Sequence, residues 1–450
     1  MIVQKFGGTS VGGADPIRRL GRIVAASLSR EPLVVVSAVG GVTNRLFHAG
    51  ELACAGGEWK PELEALAAQH RALLAELALE PQLLERLLAE LSDLVRGIAL
   101  IRELTPRTQD HLASFGERLA ARIVAAHLVR EGIAARALDA WEAGLVTDGR
   151  FGCARPLPTS EGTIRAALSG ISGVPVITGY IAQDAGGSIT TLGRGGSDFS
   201  AAIFGAALAA EEIQIWTDVD GVMSADPRIV PEARFVPTLS FAEAAELAFF
   251  GAKVLHPATM VPAIGKGIPI RVLNSFRPEF PGTRVVPRLG PAERSVKSIT
   301  SKERIAVVNI VAAPMLLQYG FLERIADVFA RHEIVVDMIA TSEVSVALTT
   351  DSTARLDPVC NELARFSEVS VAREIALVSI VGEELQDSLH VPREVLDTLA
   401  VRVEMISYGA TRNNLSLVVP RGRVREAVHA LHTRLFVEAR AAREAAASRA

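Results

Sequence analysis

Two short predicted strands near the start of the chain, of which only the second is apolar throughout, each run directly into a loop of glycine and hydroxyl residues. The first, residues 2–6, leads into "KFGGTSVGG" at 5–13, and the second, residues 33–36, ends in "SAVGGVTN" at 37–44. An unbroken apolar run of this length is typical of a strand buried on both faces of a parallel sheet. With a helix predicted from about Asp15, the pattern indicates an α/β fold built from βαβ units.

The loop at 5–13 indicates an anion site. Lys5 precedes a cluster of glycines and two hydroxyl residues, and freed backbone N–H groups with hydroxyls form a donor surface that suits phosphate. The loop is not a P-loop, because Gly13 stands where that motif has lysine, and it lacks the G-x-G-x-x-G spacing of dinucleotide sites. A tight strand-to-helix turn without a ligand is the alternative.

Composition limits the classes of protein. The 450 residues, 49% of them hydrophobic, predict two or three domains with sizeable cores. A net charge of −4 gives no electrostatic reason to expect nucleic acid or a membrane surface as a partner. Three widely spaced cysteines predict neither a disulfide framework nor a metal site. No apolar run reaches the ~18 residues of a membrane span, and the N-terminus does not resemble a secretory leader, so we expect a cytoplasmic protein.

Later segments continue the alternation of strands and helices. The segments 174–180, 213–217 and 268–273 predict the strands of further βα units. Residues 61–104 predict a helical insertion that covers one edge of the sheet or forms a lid, because leucine, valine and isoleucine recur there every 3.6 residues. The stretch at 286–300 is rich in proline, glycine and charge and predicts a linker.

The C-terminal third contains an internal repeat. "IAVV" at Ile305 matches "IALV" at Ile375, and "DMI" at Asp337 matches "EMI" at Glu404. Each copy reads strand, helix, strand, turn, strand, and each is too small to be stable alone. The two copies are therefore predicted to pack side by side as a ligand-binding or assembly module without catalytic residues of its own.

Two motifs in the first half place charges beside glycines. "SFGERL" at 114–119 puts Glu117 at a predicted helix start, where a solvated first-turn charge is the alternative. "TLGRGGSDFSAA" at 191–202 combines Arg194 and Asp198 with three glycines and runs into an alanine-rich helix. Backbone donors, a helix N-terminus and a guanidinium then converge, which favours an anionic ligand.

Two further motifs follow predicted strands. "WTDVDGV" and the nearby "DPR" offer Thr217, Asp218 and Arg228 at the end of a buried strand, where open α/β sheets bind ligands. "FGAKVLHP" offers Lys253 in an apolar setting, although a snorkelling surface lysine is the alternative. Several cations and two glycine cradles suit phosphoryl transfer, which depends on positioning and charge neutralisation. No Ser/His/Asp order or cluster of histidines suggests another chemistry.

These motifs resemble a known family. "KFGGTSV", "SAVGGVTN", "TLGRGGSD", "WTDVDGV" with "DPR", and "FGAKVLHP" are similar to five landmark segments of aspartate kinases, which belong to the amino-acid kinase superfamily. The C-terminal repeat resembles the paired ACT domains of that family, so the resemblance runs from end to end. "TSEVSVALT" and "MISYGA" are most similar to its monofunctional, lysine-sensitive branch.

The resemblance implies a two-part α/β architecture. An amino-acid kinase-like α/β/α sandwich would be followed by a paired ACT regulatory module of βαββαβ, ferredoxin-like type. The expected bounds are 1–285 for the kinase domain with its insertion, 286–300 for the linker, 301–438 for the tandem ACT domain and 439–450 for a frayed tail.

The resemblance also implies a reaction. ATP with Mg²⁺ and L-aspartate would give 4-phospho-L-aspartate and ADP, the first step of lysine, threonine and methionine (diaminopimelate) biosynthesis. The nucleophile is a carboxylate of pKa about 4, so it is ionised at neutral pH and needs no general base. The main task is to offset repulsion between this anion and the triphosphate.

Site residues are carried over from the family's motifs. Lys5 and Asp198 would be catalytic, with Lys5 on the transferring phosphate, Asp198 orienting Lys5, and Gly7 and Gly8 donating backbone N–H bonds. Arg194 would bind the α-carboxylate of aspartate and Glu117 its α-amino group. The remaining substrate contacts would be Ser37, Thr43, Gly195, Gly196 and Ser197. ATP would contact Lys5, Phe6, Gly7, Gly8, Thr217, Asp218, Met223, Arg228, Lys253 and Val254. No side chain is assigned as a metal ligand.

Regulation is expected in the first repeat. L-lysine would inhibit by binding between ACT repeats across a homodimer or dimer-of-dimers interface, although a pair that only dimerises the enzyme is the alternative. The effector residues would be Met315, Gln318, Gly320, Phe321, Leu322, Asp337, Thr341, Ser342, Glu343 and Val344. The linker and the helical insertion are candidate transmitters.

Two positions depart from the family pattern. Met223 stands where relatives often place a tyrosine near the adenine, and Gln318 where lysine-sensitive relatives tend to have a smaller residue. A glutamate or N-acetylglutamate kinase would share the fold but not "KFGGTSV" or the ACT pair. The length leaves no room for a fused homoserine dehydrogenase, and the intact charged residues argue against a catalytically dead amino-acid sensor.

Overall fold

The computed structural model describes residues 1–251, 257–290, 296–312, 319–383, 385–388 and 390–438. These residues form two compact units. Unit 1 contains residues 1–222, 237–241 and the described part of 254–288, and unit 2 contains 223–236 and the described parts of 242–253 and 289–438.

The strands and helices alternate along the first half of the chain. The strands are β1 (Ile2–Phe6), β2 (Pro32–Val36), β3 (Ala135–Leu138), β4 (Val146–Thr147), β5 (Val174–Thr178), β6 (Ile181–Asp184), β7 (Ile189–Thr191), β8 (Ile213–Thr217), β9 (Val222–Met223), β10 (Phe235–Val236), β11 (Thr238–Ser240), β12 (Ile270–Asn274) and β13 (Thr283–Val286). The helices are α1 (Ala14–Ala25), α2 (Val42–Ala55), α3 (Lys60–Glu76), α4 (Glu85–Ile101), α5 (Pro106–Arg130), α6 (Ser160–Leu168), α7 (Gly196–Ala207), α8 (Phe241–Phe249) and α9 (Pro257–Lys266).

Unit 1 is built on an eight-stranded sheet of order β11-β13-β12-β8-β1-β2-β5-β3. The strands from β12 to β3 run parallel, and β13 is antiparallel to β12. Every residue of β1 and β2 is buried, as the unbroken apolar run at 33–36 predicts for β2. In β1 the burial extends to the polar Gln4 and Lys5. Because β1 lies in the middle, the loops after β1, β2, β5 and β8 meet at the carboxyl edge of the sheet, where open α/β sheets bind ligands.

Helices cover both faces of this sheet, which confirms the predicted α/β/α arrangement. One core joins the strands to α1, α2, α4 and α5, while α7 packs on β1 and on α6 and α9. The predicted helical insertion is two helices, α3 and α4, because Pro81 and a short 3-10 turn separate them. Both helices pack into the core with α2 and α5, so this segment covers the fold and does not form a separate lid.

Unit 2 contains the repeat. Its strands are β14 (Val296–Val311), β15 (Met338–Thr341), β16 (Ser345–Thr350), β17 (Glu368–Gly382), β18 (Met405–Tyr408) and β19 (Asn414–Pro420). Its helices are α10 (Phe321–Arg331), α11 (Leu356–Leu363), α12 (His390–Thr398) and α13 (Val424–His432). The strands form one antiparallel sheet of order β15-β16-β14-β17-β19-β18.

One backbone hydrogen bond recurs at the matching position of the two repeats. Asp337 N donates to Thr349 O, and Glu404 N donates in the same way to Val418 O. Helices α10 and α11 pack on the first repeat and α12 and α13 on the second. The opposite face of the sheet packs against Phe250, which directly follows α8.

The linker expected at 286–300 is shorter in the structure. Residues 296–300 begin β14, which pairs with β17 along most of its length. Local composition does not indicate this strand, because its partner lies about eighty residues further along the chain. Residues 291–295 and the tail 439–450 lie outside the described residues.

Among the described residues, no helix combines the length and apolar character needed to cross a membrane.

Candidate active site

A cavity of about 540 Å³ opens in unit 1 beside the carboxyl edge of the sheet. Its lining contains every residue predicted to contact the substrate amino acid: Ser37, Thr43, Glu117, Arg194, Gly195, Gly196 and Ser197. They come from three separate segments, namely the loop after β2 with the first turn of α2, the middle of α5, and the loop before α7 with the first turn of α7. The fold therefore brings together residues that lie up to 160 positions apart.

Two helices begin at this cavity. Gly41 caps α2 and Gly195 caps α7, and both glycines adopt positive φ, at 82° and 71°. The first N–H groups of a helix lack intrahelical partners and carry partial positive charge, so each N-terminus attracts an anion. Thr43 lies in the first turn of α2 and Ser197 in the first turn of α7, where their hydroxyls add further donors.

Lys5 and Asp198 form an ion pair close to these helix ends. The Lys5 Nζ and Asp198 Oδ1 atoms are 2.6 Å apart, and the two side chains are 11% and 17% exposed. Lys5 lies on β1 and Asp198 in the first turn of α7, so the pair holds the lysine side chain against the start of α7. A partly buried, paired ammonium group is well placed to face a phosphate without moving far.

The sequence prediction for the surroundings of Glu117 was wrong. Glu117 does not start a helix but lies in the middle of α5, and it is 3% exposed. The neighbouring Gly116 marks close packing: a Cβ at this position would lie only 2.7 Å from the Cβ of Ala38. Gly116 does not mark the helix boundary that its sequence context suggested. Its lack of a side chain lets the loop after β2 approach α5 closely.

Glu117 is a buried acid with incomplete hydrogen bonding. Its Oε1 accepts a hydrogen bond of 3.1 Å from Ala38 N, and its Oε2 has no partner among the described residues. Burial raises the pKa of Glu117 from 4.5 to about 8, against the smaller effect of the Ala38 hydrogen bond. An incoming ammonium group would supply the missing partner.

The other cavity residues connect the loops to one another. Ser37 Oγ and Ser197 Oγ are 2.8 Å apart, which joins the loop after β2 to the start of α7. Arg194 is exposed and forms no ion pair with any residue in the described part of the chain. It can therefore bind an external carboxylate without first giving up an internal one.

The predicted nucleotide residues are only partly assembled in unit 1. Phe6 is fully buried and stacks on Trp216, so only its backbone can face a ligand. The Gly7 N–H donates to the Trp216 carbonyl at 3.1 Å, which corrects its expected role as a phosphate donor. The β1–β8 ladder continues through this bond, leaving Gly8, which lines the cavity, as the glycine that can serve.

Thr217 is the last residue of β8, and Asp218 follows it directly. The Thr217 hydroxyl donates a hydrogen bond of 3.2 Å to Asp218 Oδ1. Met223 and Arg228 belong to unit 2. The Arg228 side chain is 81% exposed and binds Asp226 through Nε and Nη2. The remaining two nucleotide predictions, Lys253 and Val254, lie outside the described residues.

The predicted effector residues lie in the first repeat of unit 2. Gly320, Phe321 and Leu322 form the N-terminus of α10, although the Phe321 side chain is buried in the core. Thr341 ends β15, and Ser342, Glu343 and Val344 form the turn before β16. Asp337 pairs with Lys302 at 3.3 Å, a partner that the sequence did not suggest. Met315 and Gln318 lie outside the described residues.

Several cavity residues were not assigned from sequence: Gly40, Gly41, Asn44, Gly152, Tyr180 and Gly193. Gly40, Gly41, Asn44 and Gly193 lie within motifs already marked by glycine and hydroxyl residues, so that signal could have found them. Gly152 and Tyr180 lie in segments with no local pattern of this kind, and only the folded chain brings them to the cavity.

Comparison with known proteins defines the class. Residues 1–274 match the model of the Amino acid kinase family, and residues 378–435 match an ACT domain. The chain belongs to the amino acid kinase family and carries a C-terminal ACT regulatory module.

Comparison with individual relatives shows which branch of this family the chain belongs to. The chain is 38% identical to Aspartokinase 2, chloroplastic, of Arabidopsis thaliana, over 96% of this chain and 84% of that protein. It is 35% identical to E. coli aspartokinase III in complex with aspartate and ADP (R-state), with a TM-score of 0.83 over 97% and 100% of the two chains. The complex of that enzyme with lysine and aspartate (T-state) gives a TM-score of 0.80 at 35% identity, over 97% and 99%. The chain is thus an enzyme of the aspartokinase family.

The buried Glu117 predicts an unusual dependence of stability on pH. Its folded pKa is raised, so the folded state keeps a proton that the unfolded chain releases, and the free energy of unfolding should fall as pH rises from about 4.5 to about 8. Glu117→Gln removes this titration. Its melting temperature relative to wild type should therefore increase between about pH 5.5 and about pH 8.5. Glu131→Gln, at the exposed end of α5, is the control, and a Glu117→Gln difference that is constant with pH would contradict the assignment.

Proposed function

We propose that this enzyme transfers the γ-phosphoryl group of ATP to the side-chain carboxylate of L-aspartate, giving 4-phospho-L-aspartate and ADP. The observation that carries the proposal is the cavity itself, where a buried acid, an unpaired guanidinium and two helix N-termini match the charges of an amino acid. The complex of its E. coli relative with aspartate and ADP supports the same pair of ligands.

Each charge of aspartate has a counterpart in the cavity. Glu117 would accept hydrogen bonds from the α-ammonium group, which satisfies Oε2 and stabilises the ionised carboxylate. Arg194 would hold the α-carboxylate through two parallel N–H bonds. Ser37, Thr43 and the first turn of α7 would complete the contacts, with the side-chain carboxylate directed toward Lys5.

Transfer needs charge neutralisation more than proton movement. The attacking carboxylate is already ionised at neutral pH, so the groups around it must offset its repulsion with the phosphates. Lys5 would lie against the transferring phosphoryl group, held by Asp198, with Gly8 donating a backbone N–H. Glu117 would bind the ammonium group of aspartate, and Asp198 binds the ammonium group of Lys5, so the two carboxylates have separate tasks.

The nucleotide and its cation complete the proposed site. Thr217, Asp218, Met223, Arg228, Lys253 and Val254 would contact ATP. Within the described residues, no group of three or more His, Cys, Asp or Glu side chains is arranged to hold a metal ion. A Mg²⁺ ion that arrives on the phosphates and keeps several waters suits such a site, because Mg²⁺ commonly binds through substrate phosphates.

The proposed product indicates that the enzyme catalyses the first step of a biosynthetic pathway. An acyl phosphate is an activated carboxyl group, so its consumer would be a reductase or an acyl-transfer enzyme. We place it in lysine, threonine and methionine biosynthesis, in the cytoplasm, while noting that the Arabidopsis relative is a chloroplastic protein.

Loss of Lys5 should affect chemistry rather than folding. Lys5→Ala removes the cation proposed to lie on the transferring phosphate, and kcat should fall by roughly 10²-fold or more. Aspartate-dependent ADP formation measures the rate, and circular dichroism checks the fold. Lys266→Ala, which removes a surface lysine bound to Glu161, is the control; turnover of Lys5→Ala equal to that of this control would remove Lys5 from the mechanism.

Arg194 should control affinity for aspartate alone. Arg194→Lys keeps the charge but loses the planar, two-pronged geometry, so the KM for aspartate should rise by about tenfold or more while the KM for ATP changes little. Arg150→Lys, at an exposed arginine of a neighbouring loop, is the matched control. Equal increases in both KM values would mean that Arg194 only shapes its loop.

We further propose that L-lysine inhibits the enzyme by binding to the first ACT repeat. The complex of the E. coli relative with lysine supports this effector. The N-terminus of α10 suits a carboxylate, and Asp337 suits an ammonium group. Asp337 is already bound to the ammonium group of Lys302, so an incoming lysine would compete with an internal one.

Lys302 offers a physical route from the effector site. Its Nζ lies 2.9 Å from Asp351 Oδ2 and 5.7 Å above the ring of Phe249, at the end of α8. The next residue, Phe250, packs on the ACT sheet and accepts a hydrogen bond from Thr300 Oγ1 through its carbonyl. Helix α8 falls within the residues that match the kinase family, so displacement of Lys302 would act on a segment of the catalytic sequence. Inhibition then requires that lysine bind the less active conformation of the enzyme more tightly than the active one, by roughly 1–3 kcal/mol of binding free energy.

The second repeat is less suited to a ligand. Tyr408 occupies the position equivalent to Thr341, and its hydroxyl donates to the carbonyls of Leu385 and Gln386. Arg412 binds Asp387 across the same region. The side chains at this position of the second repeat thus bond to groups of the same repeat, which supports one lysine site per chain.

A homodimer or dimer of dimers would complete the proposed effector site. The edge strand β15 exposes Ile339, and the start of α10 exposes Tyr319 and Leu322. Among the described residues, no strand pairs with the outer edge of β15, and both an unpaired strand edge and exposed apolar side chains favour association with a second copy.

Removal of Asp337 should relieve inhibition. Asp337→Ala or Thr341→Ile should raise the lysine concentration for half-inhibition by about tenfold or more, with uninhibited turnover nearly unchanged, because a carboxylate–ammonium bond or space for the ligand is lost. Lysine should inhibit the control variant Glu404→Ala, at the equivalent position of the second repeat, as strongly as it inhibits the wild type. If millimolar lysine neither inhibits the wild type nor shifts its melting temperature, the effector assignment is wrong, and threonine is the next amino acid to test.

A further inference from the structure

Asp110 is a buried carboxylate that the proposed reaction does not use. It lies in the second turn of α5 and is 4% exposed. Its Oδ1 accepts a hydrogen bond of 2.8 Å from Thr191 Oγ1, and its Oδ2 accepts bonds from Thr191 N at 2.9 Å and Gly152 N at 2.8 Å. It forms no ion pair with any described residue and does not line the cavity.

The donors to Asp110 belong to the segments that carry Arg194. Thr191 ends β7 and stands three residues before Arg194, and its carbonyl accepts a bond of 2.9 Å from Ala154 N. Gly152 lines the cavity, and its carbonyl oxygen lies against Gly193, where a Cβ would come within 3.1 Å. Asp110 therefore clamps two backbone segments that meet immediately before the guanidinium.

Asp110 and Glu117 lie on the same rigid element. They are seven residues apart on α5, which is about two helical turns, so their side chains project from the same face. The helix thus holds Glu117 at the cavity and, two turns away, holds the loop that presents Arg194. The distance between the proposed ligands for the ammonium and α-carboxylate groups is set through this helix.

We propose that Asp110 is a positioning residue for recognition of the amino-acid substrate. Asp110 holds the loop of Arg194 so that the distance between Arg194 and Glu117 fits the α-carboxylate and α-ammonium groups of one amino acid. This inference rests on the proposed function of those two residues. Burial of a carboxylate is costly unless it is fully hydrogen-bonded, and an apolar side chain would fill the same space at less cost. Charge-assisted bonds to backbone N–H groups provide a stiffer clamp than neutral bonds would.

The neighbouring threonines of β7 give a matched pair of variants. Thr191 and Thr190 are both buried, but Thr191 Oγ1 donates to Asp110, whereas Thr190 Oγ1 bonds to Thr147 Oγ1 at 2.7 Å. Thr191→Val should raise the KM for aspartate by about threefold, and Asp110→Ala by about tenfold or more, because small displacements of a binding group are costly. Both should change the KM for ATP by less than about twofold.

The control and the conservative variant complete the test. Thr190→Val should leave both KM values within about twofold of wild type, whatever it does to the melting temperature. Asp110→Asn can still accept the two backbone bonds through Oδ1 and should restore most of the affinity for aspartate. If Asp110→Ala does not fold, Thr191→Val against Thr190→Val decides the question.

Arg194→Ala is measured in parallel to separate two kinds of failure. If it raises the KM for aspartate while the Asp110 and Thr191 variants match Thr190→Val, Asp110 has only a structural role and the inference is overturned. If Arg194→Ala also leaves that KM unchanged, the proposed assignment of the substrate site itself is wrong.

Discussion

Burial of the Glu117 carboxyl is the constraint around which the catalytic cavity is organised. A carboxyl in the middle of a helix, with one oxygen bound to Ala38 N and the other without a described partner, is unfavourable in its ionised form. The resulting rise in pKa leaves a group that is mostly protonated at neutral pH and ready to ionise when a cation enters. An α-ammonium group is such a cation, which gives the fold a reason to keep an acid where an apolar residue would be less costly.

The remaining charges of the site complement this acid. Two helix N-termini and Arg194, which line the same cavity, favour an anion, and the Lys5–Asp198 pair lies on the central strand and the first turn of α7. Under the proposed function, an amino acid with two carboxylates suits this distribution, because its ammonium and α-carboxylate groups would be held while its second carboxylate remains for reaction. The proposed reaction would then need little acid–base chemistry and would depend mainly on positioning and charge neutralisation.

Local patterns predicted the parts of the structure that depend on local sequence. The buried strand β2 and the glycine loop after it were predicted because an apolar run that ends in glycines has few other structures available. β1 was predicted from its apolar start and the glycine loop that follows it, although it also buries Gln4 and Lys5. Glu117 was misplaced because Gly116 was read as a boundary, and its packing partner Ala38 lies far away in sequence. Asp110, Gly152 and the Lys302–Asp337 pair were missed for the same reason, since each depends on contacts between distant segments. The start of β14 likewise depends on its pairing with β17.

Calorimetry of aspartate binding tests the central claim most directly. If the ammonium group of aspartate binds to Glu117, the pKa of this acid must fall on binding, and a proton must leave. Titrations at pH 7 in buffers of different ionisation enthalpy should show release of about one proton per aspartate bound, declining toward zero by about pH 9. Glu117→Gln should abolish the release. Aspartate binding at pH 7 without proton release, or with proton uptake, would contradict the account.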